Sequence, residues 1–141
     1  MLIRCLRAGI VVLVVAAGNW TSAVAQDSNS LAQRSVESWL ALVDGGRYAE
    51  SWQAAAAFFR NAMTADKWAE AAKAVRAPLG PVKSRSIKSA TSAKTLPGAP
   101  DGDYVVFQFG TTFEKKSAAV ETVTAVQESD GNWRVVGYFI R

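Results

Sequence analysis

The last third of the chain contains three consecutive segments in which apolar and polar side chains alternate. They run from Tyr104 to Phe113, from Ser117 to Gln127 and from Asn132 to Ile140, and they are rich in β-branched and aromatic residues. Alternation over such lengths is typical of half-buried β-strands. The connections are short, and Asp130-Gly131 is a dipeptide favoured in tight hairpins whose central residues both have positive φ. The pattern therefore predicts an antiparallel meander.

Because successive side chains of a strand point to opposite faces, the alternation also assigns each residue to a face. The residues predicted to face the core are Val105, Phe107, Phe109, Thr111 and Phe113, then Ala118, Val120, Thr122, Thr124 and Val126, then Trp133, Val135, Gly137 and Phe139. Glu121 falls on the opposite, polar face. Tyr138 and Ile140 fall on the less protected face of the last strand. Gly110 and Gly137 interrupt their strands, where glycine often marks a bend or bulge.

The preceding residues show helical spacing. A first helix is predicted from an N-cap at Ser28 or Ser30 to Gly45-Gly46, a second from about Tyr48 to Phe59, and a third after the cap Thr64. Val82–Ala93 has the lysine-rich composition of an edge strand. The predicted fold class is α+β, with three N-terminal helices packed on one face of a curved four-stranded antiparallel sheet.

The first 25 residues have the organisation of a secretory leader. Arg4 and Arg7 precede an apolar stretch shorter than the ~20 residues of a membrane span, and Ala23-Val24-Ala25 is a small-x-small cleavage motif. We therefore expect residues 1–25 to be removed, and residues 26–141 to form a single periplasmic or secreted domain. Contact with the membrane would occur only through the leader before cleavage; the alternative is a retained membrane anchor.

The composition excludes several kinds of chemistry. The chain has no histidine, and its single cysteine, Cys5, lies in the predicted leader. Catalysis by Ser-His-Asp or Cys-His and zinc sites built on these residues are therefore excluded. No phosphate-binding glycine loop or calcium loop is present, so no cofactor and no metal are predicted. Arg4 and Arg7 carry half of the formal net charge of +4, so no nucleic-acid partner is expected.

The remaining candidate chemistry is acid–base catalysis by a carboxylate in a pocket. Asp103, with Tyr104 as a helper, is the candidate, although aspartate beside a turn often has only a structural role. The candidates for lining a ligand cavity between helices and sheet are Trp52, Trp68, Phe107 and Thr122. The alternative interpretation of the tryptophans is that they pack in the core.

Three basic residues of the edge strand form the candidate anion-binding strip, namely Lys83, Arg85 and Lys88. Such a strip could bind lipid phosphate or another polyanion of the cell envelope. The alternative is a solvated strand edge, on which lysines discourage pairing with other chains.

Several blocks of the sequence closely resemble an uncharacterised family of small exported bacterial proteins, domain of unknown function 4019. These blocks are Trp39–Trp52, Arg76–Gly80, Leu96–Tyr104, Val120–Thr124 and Asp130–Val135. The resemblance covers nearly all of residues 26–141 and implies a bacterial envelope protein, without implying catalytic residues. More distantly, helices followed by a curved antiparallel sheet resemble the nuclear-transport-factor-2-like or cystatin-like architecture, which serves enzymes and binding modules alike.

These observations favour a non-enzymatic exported module that binds a small apolar ligand or a protein partner from the envelope. The partner version predicts an exposed apolar patch that includes Tyr138 and Ile140. Two alternatives remain open at this stage. One is a pocket enzyme of isomerase or hydrolase type, and the other is a structural homodimer formed through the open face of the sheet.

Overall fold

A computed structural model describes residues 20–141, with side chains described from Ala25 onward. The helices are α1 (Trp20–Asp44), α2 (Tyr48–Ala54), α3 (Ala57–Ala62) and α4 (Ala65–Arg76), and the strands are β1 (Val82–Ala93), β2 (Asp103–Phe113), β3 (Lys116–Gln127) and β4 (Trp133–Ile140). The strands form one antiparallel sheet in the order β1-β2-β3-β4. The predicted α+β class, with helices preceding a four-stranded antiparallel meander, is confirmed. Most of the predicted leader, residues 1–19, lies outside the described residues.

Two features of the helices differ from the prediction. The first helix already includes Ser28 and Ser30, because α1 begins at Trp20. The predicted second helix is divided into α2 and α3 by extended backbone at Ala55 and Ala56. There the Ala56 N–H donates to the Val135 carbonyl of β4 over 2.8 Å, which holds this corner against the edge of the sheet. No helix among the described residues is both long and apolar enough to cross a bilayer.

The third predicted helix begins as expected. The Thr64 hydroxyl accepts a hydrogen bond from the Lys67 N–H of α4 over 3.3 Å, so the predicted N-cap is confirmed.

Aromatic side chains dominate the core between the helices and the sheet. Trp39 and Trp68 lie 5.6 Å apart between ring centroids, and both are almost fully buried. Their indole N–H groups donate to the carbonyl and the hydroxyl of Ser51, which is itself buried. This packing confirms that these two tryptophans belong to the core, and the hydrogen bonds offset the cost of burying their polar atoms.

The predicted face assignment is right for β2 and wrong for β3. The inward residues of β2 are buried as predicted, namely Val105, Phe107, Phe109, Thr111 and Phe113. Those of β3 are Ala119, Glu121, Val123 and Ala125. In particular, Glu121 pairs with Phe109 and is 0% exposed. Alternation in β3 is ambiguous because both faces carry small apolar residues, and the buried carboxylate has charged partners that the pattern does not reveal.

A β-bulge inverts the faces of β4. Thr124 pairs with Gly137 while Ala125 pairs with Val135, so Val136 is an extra residue. Tyr138 consequently packs against the core, and Phe139 is 54% exposed. The prediction that Phe139 faces inward is therefore wrong, whereas the prediction that glycine marks a bulge is confirmed at Gly137.

The hairpin between β3 and β4 uses a different turn from the one expected. Gly131 has φ of 81°, but no non-glycine residue in the described part of the chain has positive φ, Asp130 included. Asp130 instead accepts hydrogen bonds from Asn132 and Arg134. Only the glycine therefore needs the left-handed conformation.

Candidate functional site

Two polar regions lie toward opposite ends of α1, and both join this helix to the edge strand β1. At the end of the helix, Asp44 contacts Arg85. In its first half, Asn29 accepts a hydrogen bond from the Ser92 hydroxyl over 3.3 Å. The first region is a closed charged cluster, and the second is an open cleft.

The charged cluster comprises Asp44, Arg76, Arg85 and Glu121. Arg85 bridges the two carboxylates, because its Nη1 lies 2.7 Å from Asp44 Oδ2 and its Nε lies 2.7 Å from Glu121 Oε1. The Arg85 Nη2 donates to Asp44 Oδ1 over 3.0 Å and to Glu121 Oε2 over 3.2 Å. Such two-point contacts use the planar geometry of guanidinium and fix the angle between partners.

Glu121 has no free acceptor position. Oε1 also accepts from the Thr111 hydroxyl over 2.5 Å, and Oε2 accepts from the Tyr138 hydroxyl over 2.5 Å. With the two bonds from Arg85, each carboxylate oxygen therefore accepts two hydrogen bonds. A carboxylate offers about four such positions, so Glu121 has none left with which to take a proton from a substrate.

Arg76 joins the ends of two helices to the sheet. It is the last residue of α4, and its Nη2 donates to Asp44, the last residue of α1, over 2.7 Å. Its guanidinium lies over the ring of Phe113, 5.1 Å from the centroid. Cations at helix C-termini interact favourably with the helix dipole, and a cation–π contact adds to this.

The ion pairs shift the pKa values of Asp44 and Arg85 away from their ordinary values. Burial alone would raise the pKa of Asp44, but the hydrogen bonds from Arg85 and Arg76 and their positive charges outweigh it and lower this pKa below its ordinary 3.8. Burial would likewise lower the pKa of Arg85, yet the bonds to Asp44 and Glu121 raise it. Burial and the neighbouring Glu121 charge raise the pKa of Tyr138. The ion pairs of the cluster therefore tie α1 and α4 to the sheet.

The cleft has a cavity volume of about 730 Å³ and opens where the first half of α1 passes over the ends of the strands. Its lining comes from five segments: Ala25, Ser28 and Asn29 of α1, Ser92 to Lys94, Asp103 to Val105, Gln127, and Trp133. Val105 and Trp133 also belong to the core cluster, so the inner end of the cleft is continuous with the core. This region can accommodate a small molecule.

The rim of the cleft is polar, and its two charged side chains are paired. Lys94 and Asp103 form an exposed ion pair. In the wall, Tyr104 is 3% exposed and its hydroxyl donates to the Pro100 carbonyl. The structure therefore places both candidate catalytic residues, Asp103 and Tyr104, in the lining, but each polar group already has a partner.

Three of the four candidate ligand-binding residues share the core, and Thr122 lies apart from them. Phe107 and Trp68 are buried in the core. Trp52 packs at the margin of the core and donates to the Met63 carbonyl over 2.9 Å. Thr122 pairs with Gln108 and Phe139 and lies on the other face of the sheet. None of the four lines the cleft.

The three basic residues of β1 do not all lie on one face of the strand. Lys83 and Lys88 are exposed, whereas Arg85 faces inward and belongs to the charged cluster. Register shifts between Val82 and Ser84 and between Ile87 and Ser89 break the regular alternation of this strand. β1 is nevertheless an edge strand, as its composition predicts.

Sequence reasoning missed Asp44, Glu121 and Trp133 as residues of these two regions. A charged residue within an otherwise apolar and threonine-rich strand was the available signal for Glu121. The partners Asp44 and Arg85 are far apart in sequence, so spacing could not identify them. In the described part of the chain, no group of three or more histidine, cysteine, aspartate or glutamate side chains could hold a metal ion.

The fold and the two regions define a small α+β domain with helices on one face of an antiparallel meander, an internal ion-pair cluster and an open cleft. Comparison with protein families identifies the same family that the sequence blocks resemble. The chain belongs to the DUF4019 family, described as a protein of unknown function, whose family model matches residues 35–138. Neither the curated proteins nor the solved structures gave a significant match.

Proposed function

We propose that the protein is an exported, non-enzymatic module that binds a small apolar ligand in the cleft. The observation that carries this proposal is the cavity of about 730 Å³, whose inner end is formed by buried Val105 and Trp133. Ligand sites in proteins are typically clefts of about 300–1,000 Å³ with apolar walls and a few polar groups. The cleft has this size, and the apolar side chains of Val105 and Trp133 form its inner end beside polar side chains of α1 and the strands.

The arrangement of carboxylates supports binding rather than catalysis. A general base must have a free lone pair within reach of the substrate. Glu121 is fully hydrogen-bonded inside the charged cluster, and Asp103 is paired with Lys94 at the rim. A protein partner bound through Tyr138 has less support, because this side chain packs against the core.

The leader-like sequence of residues 1–25 supports export to the periplasm. We expect the protein purified from the periplasm of a bacterium expressing the full chain to begin at Gln26. Intact mass spectrometry would measure this, because removal of 25 residues changes the mass unmistakably. A mass that includes Met1, recovered from the membrane fraction, would show a retained anchor instead. The Ala25–Gln26 bond lies within α1, so cleavage removes Ala25 from the lining of the cleft and leaves Ser28 and Asn29 in place.

Filling the cleft should abolish binding. Ser28 lines the cleft from α1, and Ser28→Phe introduces a ring where the ligand is proposed to lie. N-phenyl-1-naphthylamine, a neutral apolar dye, should bind the unmodified protein with enhanced fluorescence. We expect its affinity for Ser28→Phe to fall by about tenfold or more, equivalent to ~1.4 kcal/mol.

Ser30→Phe is the matched control, because Ser30 lies in the same helix, is exposed and does not line the cleft. This variant should bind the dye as the unmodified protein does. Absence of saturable binding to the unmodified protein, or equal weakening by both substitutions, would refute the cleft as the binding site.

A further inference from the structure

Trp133 differs from the other tryptophans of the core region in its hydrogen bonding. Trp39, Trp52 and Trp68 each donate their indole N–H to a nearby oxygen. Trp133 is 8% exposed, and its Nε1 is buried with no acceptor in the described part of the chain. It is also the one tryptophan among the described side chains that lines the cleft.

A buried donor without an acceptor is an exception in native proteins and costs free energy. A phenylalanine would occupy much of the same space without this cost. The position of Trp133 in the wall of the cleft offers a source for the missing acceptor, namely the molecule that the cleft binds.

The charge of the lining restricts the ligand further. The only charged side chains among the lining residues are Lys94 and Asp103, which neutralise each other at the rim. The other polar side chains of the α1 and strand walls are uncharged, namely Ser28, Asn29, Ser92 and Gln127. A charged ligand would lose its hydration without finding an unpaired counter-charge.

We infer that the cleft takes an uncharged, largely apolar molecule with a hydrogen-bond acceptor such as a carbonyl oxygen, and that the Trp133 N–H is its donor. This inference rests on the proposed function and specifies its ligand class. Nε1 is covered in the unbound structure, so its donation to a ligand requires the surrounding side chains or the indole ring to move. Binding should therefore also change the environment of the indole N–H.

The test uses two dyes that differ by one carbonyl group. One is the ketone 6-propionyl-2-(dimethylamino)naphthalene, and the other is its propyl analogue without the oxygen. The ketone should bind the unmodified protein about threefold to tenfold more tightly, as expected for one neutral hydrogen bond. Trp133→Phe should remove this preference, so that the ketone and the propyl analogue bind this variant with affinities within about twofold of each other.

Trp52→Phe is the matched control, because the Trp52 indole bonds to Met63 and does not line the cleft. It should retain the preference for the ketone. A measurement on the unmodified protein covers the case in which Trp133→Phe does not fold: the ketone, and not the propyl analogue, should shift the Trp133 indole N–H resonance downfield. The corresponding naphthalene carboxylate should bind more weakly than the ketone.

The outcomes separate the two proposals. Tight binding of the propyl analogue without a ketone preference, or a preference that persists in Trp133→Phe, would overturn the assignment of Trp133 and leave the apolar binding site standing. Carboxylate binding as tight as ketone binding would overturn the uncharged class. Failure of both neutral dyes to bind would overturn the proposed function and this inference together.

Discussion

Replacing Arg85 by methionine is expected to lower the free energy of unfolding by about 3–5 kcal/mol, the usual cost of removing one partner of a buried ion pair. Glu121 is 0% exposed and receives two of its hydrogen bonds from Arg85. The methionine fills similar space but leaves this carboxylate with the uncharged donors Thr111 and Tyr138. Urea-induced unfolding at neutral pH would measure the difference through the transition midpoint.

Lys83→Met provides the control for this experiment. Lys83 lies on the same strand, is exposed and carries the same charge, so its replacement should change stability by less than about 0.5 kcal/mol. Equal midpoints for the two variants would contradict the proposed role of the charged cluster.

The pH dependence of the Arg85→Met effect has a definite sign. The pKa of Asp44 is lowered in the folded protein, so its paired carboxylate contributes stability above its ordinary pKa of 3.8. This contribution is lost as the pH falls through the lowered pKa, because the folded state must then be protonated. The difference between the unmodified protein and Arg85→Met should therefore be largest above pH 4 and narrow at lower pH. If the difference in the free energy of unfolding grew as the pH fell, the stabilising role of the ionised Asp44 carboxylate would be contradicted.

The periodicity of the sequence predicted the strands well because local alternation reports which side of a segment is buried. The predicted strand Val82–Ala93 has the same bounds as β1, and the predicted strand from Tyr104 to Phe113 begins one residue later than β2. The inward face of β2 was also predictable, since its aromatic residues alternate with polar and small ones. In β3 both faces carry valine and alanine, and there the register with β2 decides which face is buried.

The cleft and the charged cluster could not be predicted in the same way. Each is assembled from segments that are distant in sequence, and each depends on how α1 lies against the sheet. The hydrogen bond from Ser92 to Asn29 joins residues 63 positions apart, and the contact of Arg85 with Asp44 joins residues 41 apart. Asp103 and Tyr104 were only candidates for a pocket, whereas the unpaired N–H of Trp133 becomes apparent only when its surroundings are known.

The bulge in β4 leads to the second prediction. Because it turns Tyr138 inward and Phe139 outward, truncation at Tyr138 should destabilise the protein more than truncation at Phe139, the reverse of what strict alternation predicts. Tyr138→Ala should destabilise the protein by about 3 kcal/mol or more, since truncation of a packed aromatic side chain leaves a cavity and unpairs a buried acceptor. The Tyr138 ring lies 5.3 Å from that of Trp39 and 6.3 Å from that of Trp68, and its hydroxyl donates to Glu121. Thermal and urea unfolding would measure the loss.

Phe139→Ala, at the next position, is the decisive comparison. Strict alternation from Trp133 and Val135 places Phe139 inward, whereas the extra residue Val136 turns it outward, where it is 54% exposed. Its truncation should therefore cost less than about 1 kcal/mol, because little apolar surface is lost from the interior. If Phe139→Ala proved the more damaging of the two, the bulge would be misplaced. Tyr138 could then not donate to Glu121, and the carboxylate at the centre of the charged cluster would lack one of its four hydrogen bonds.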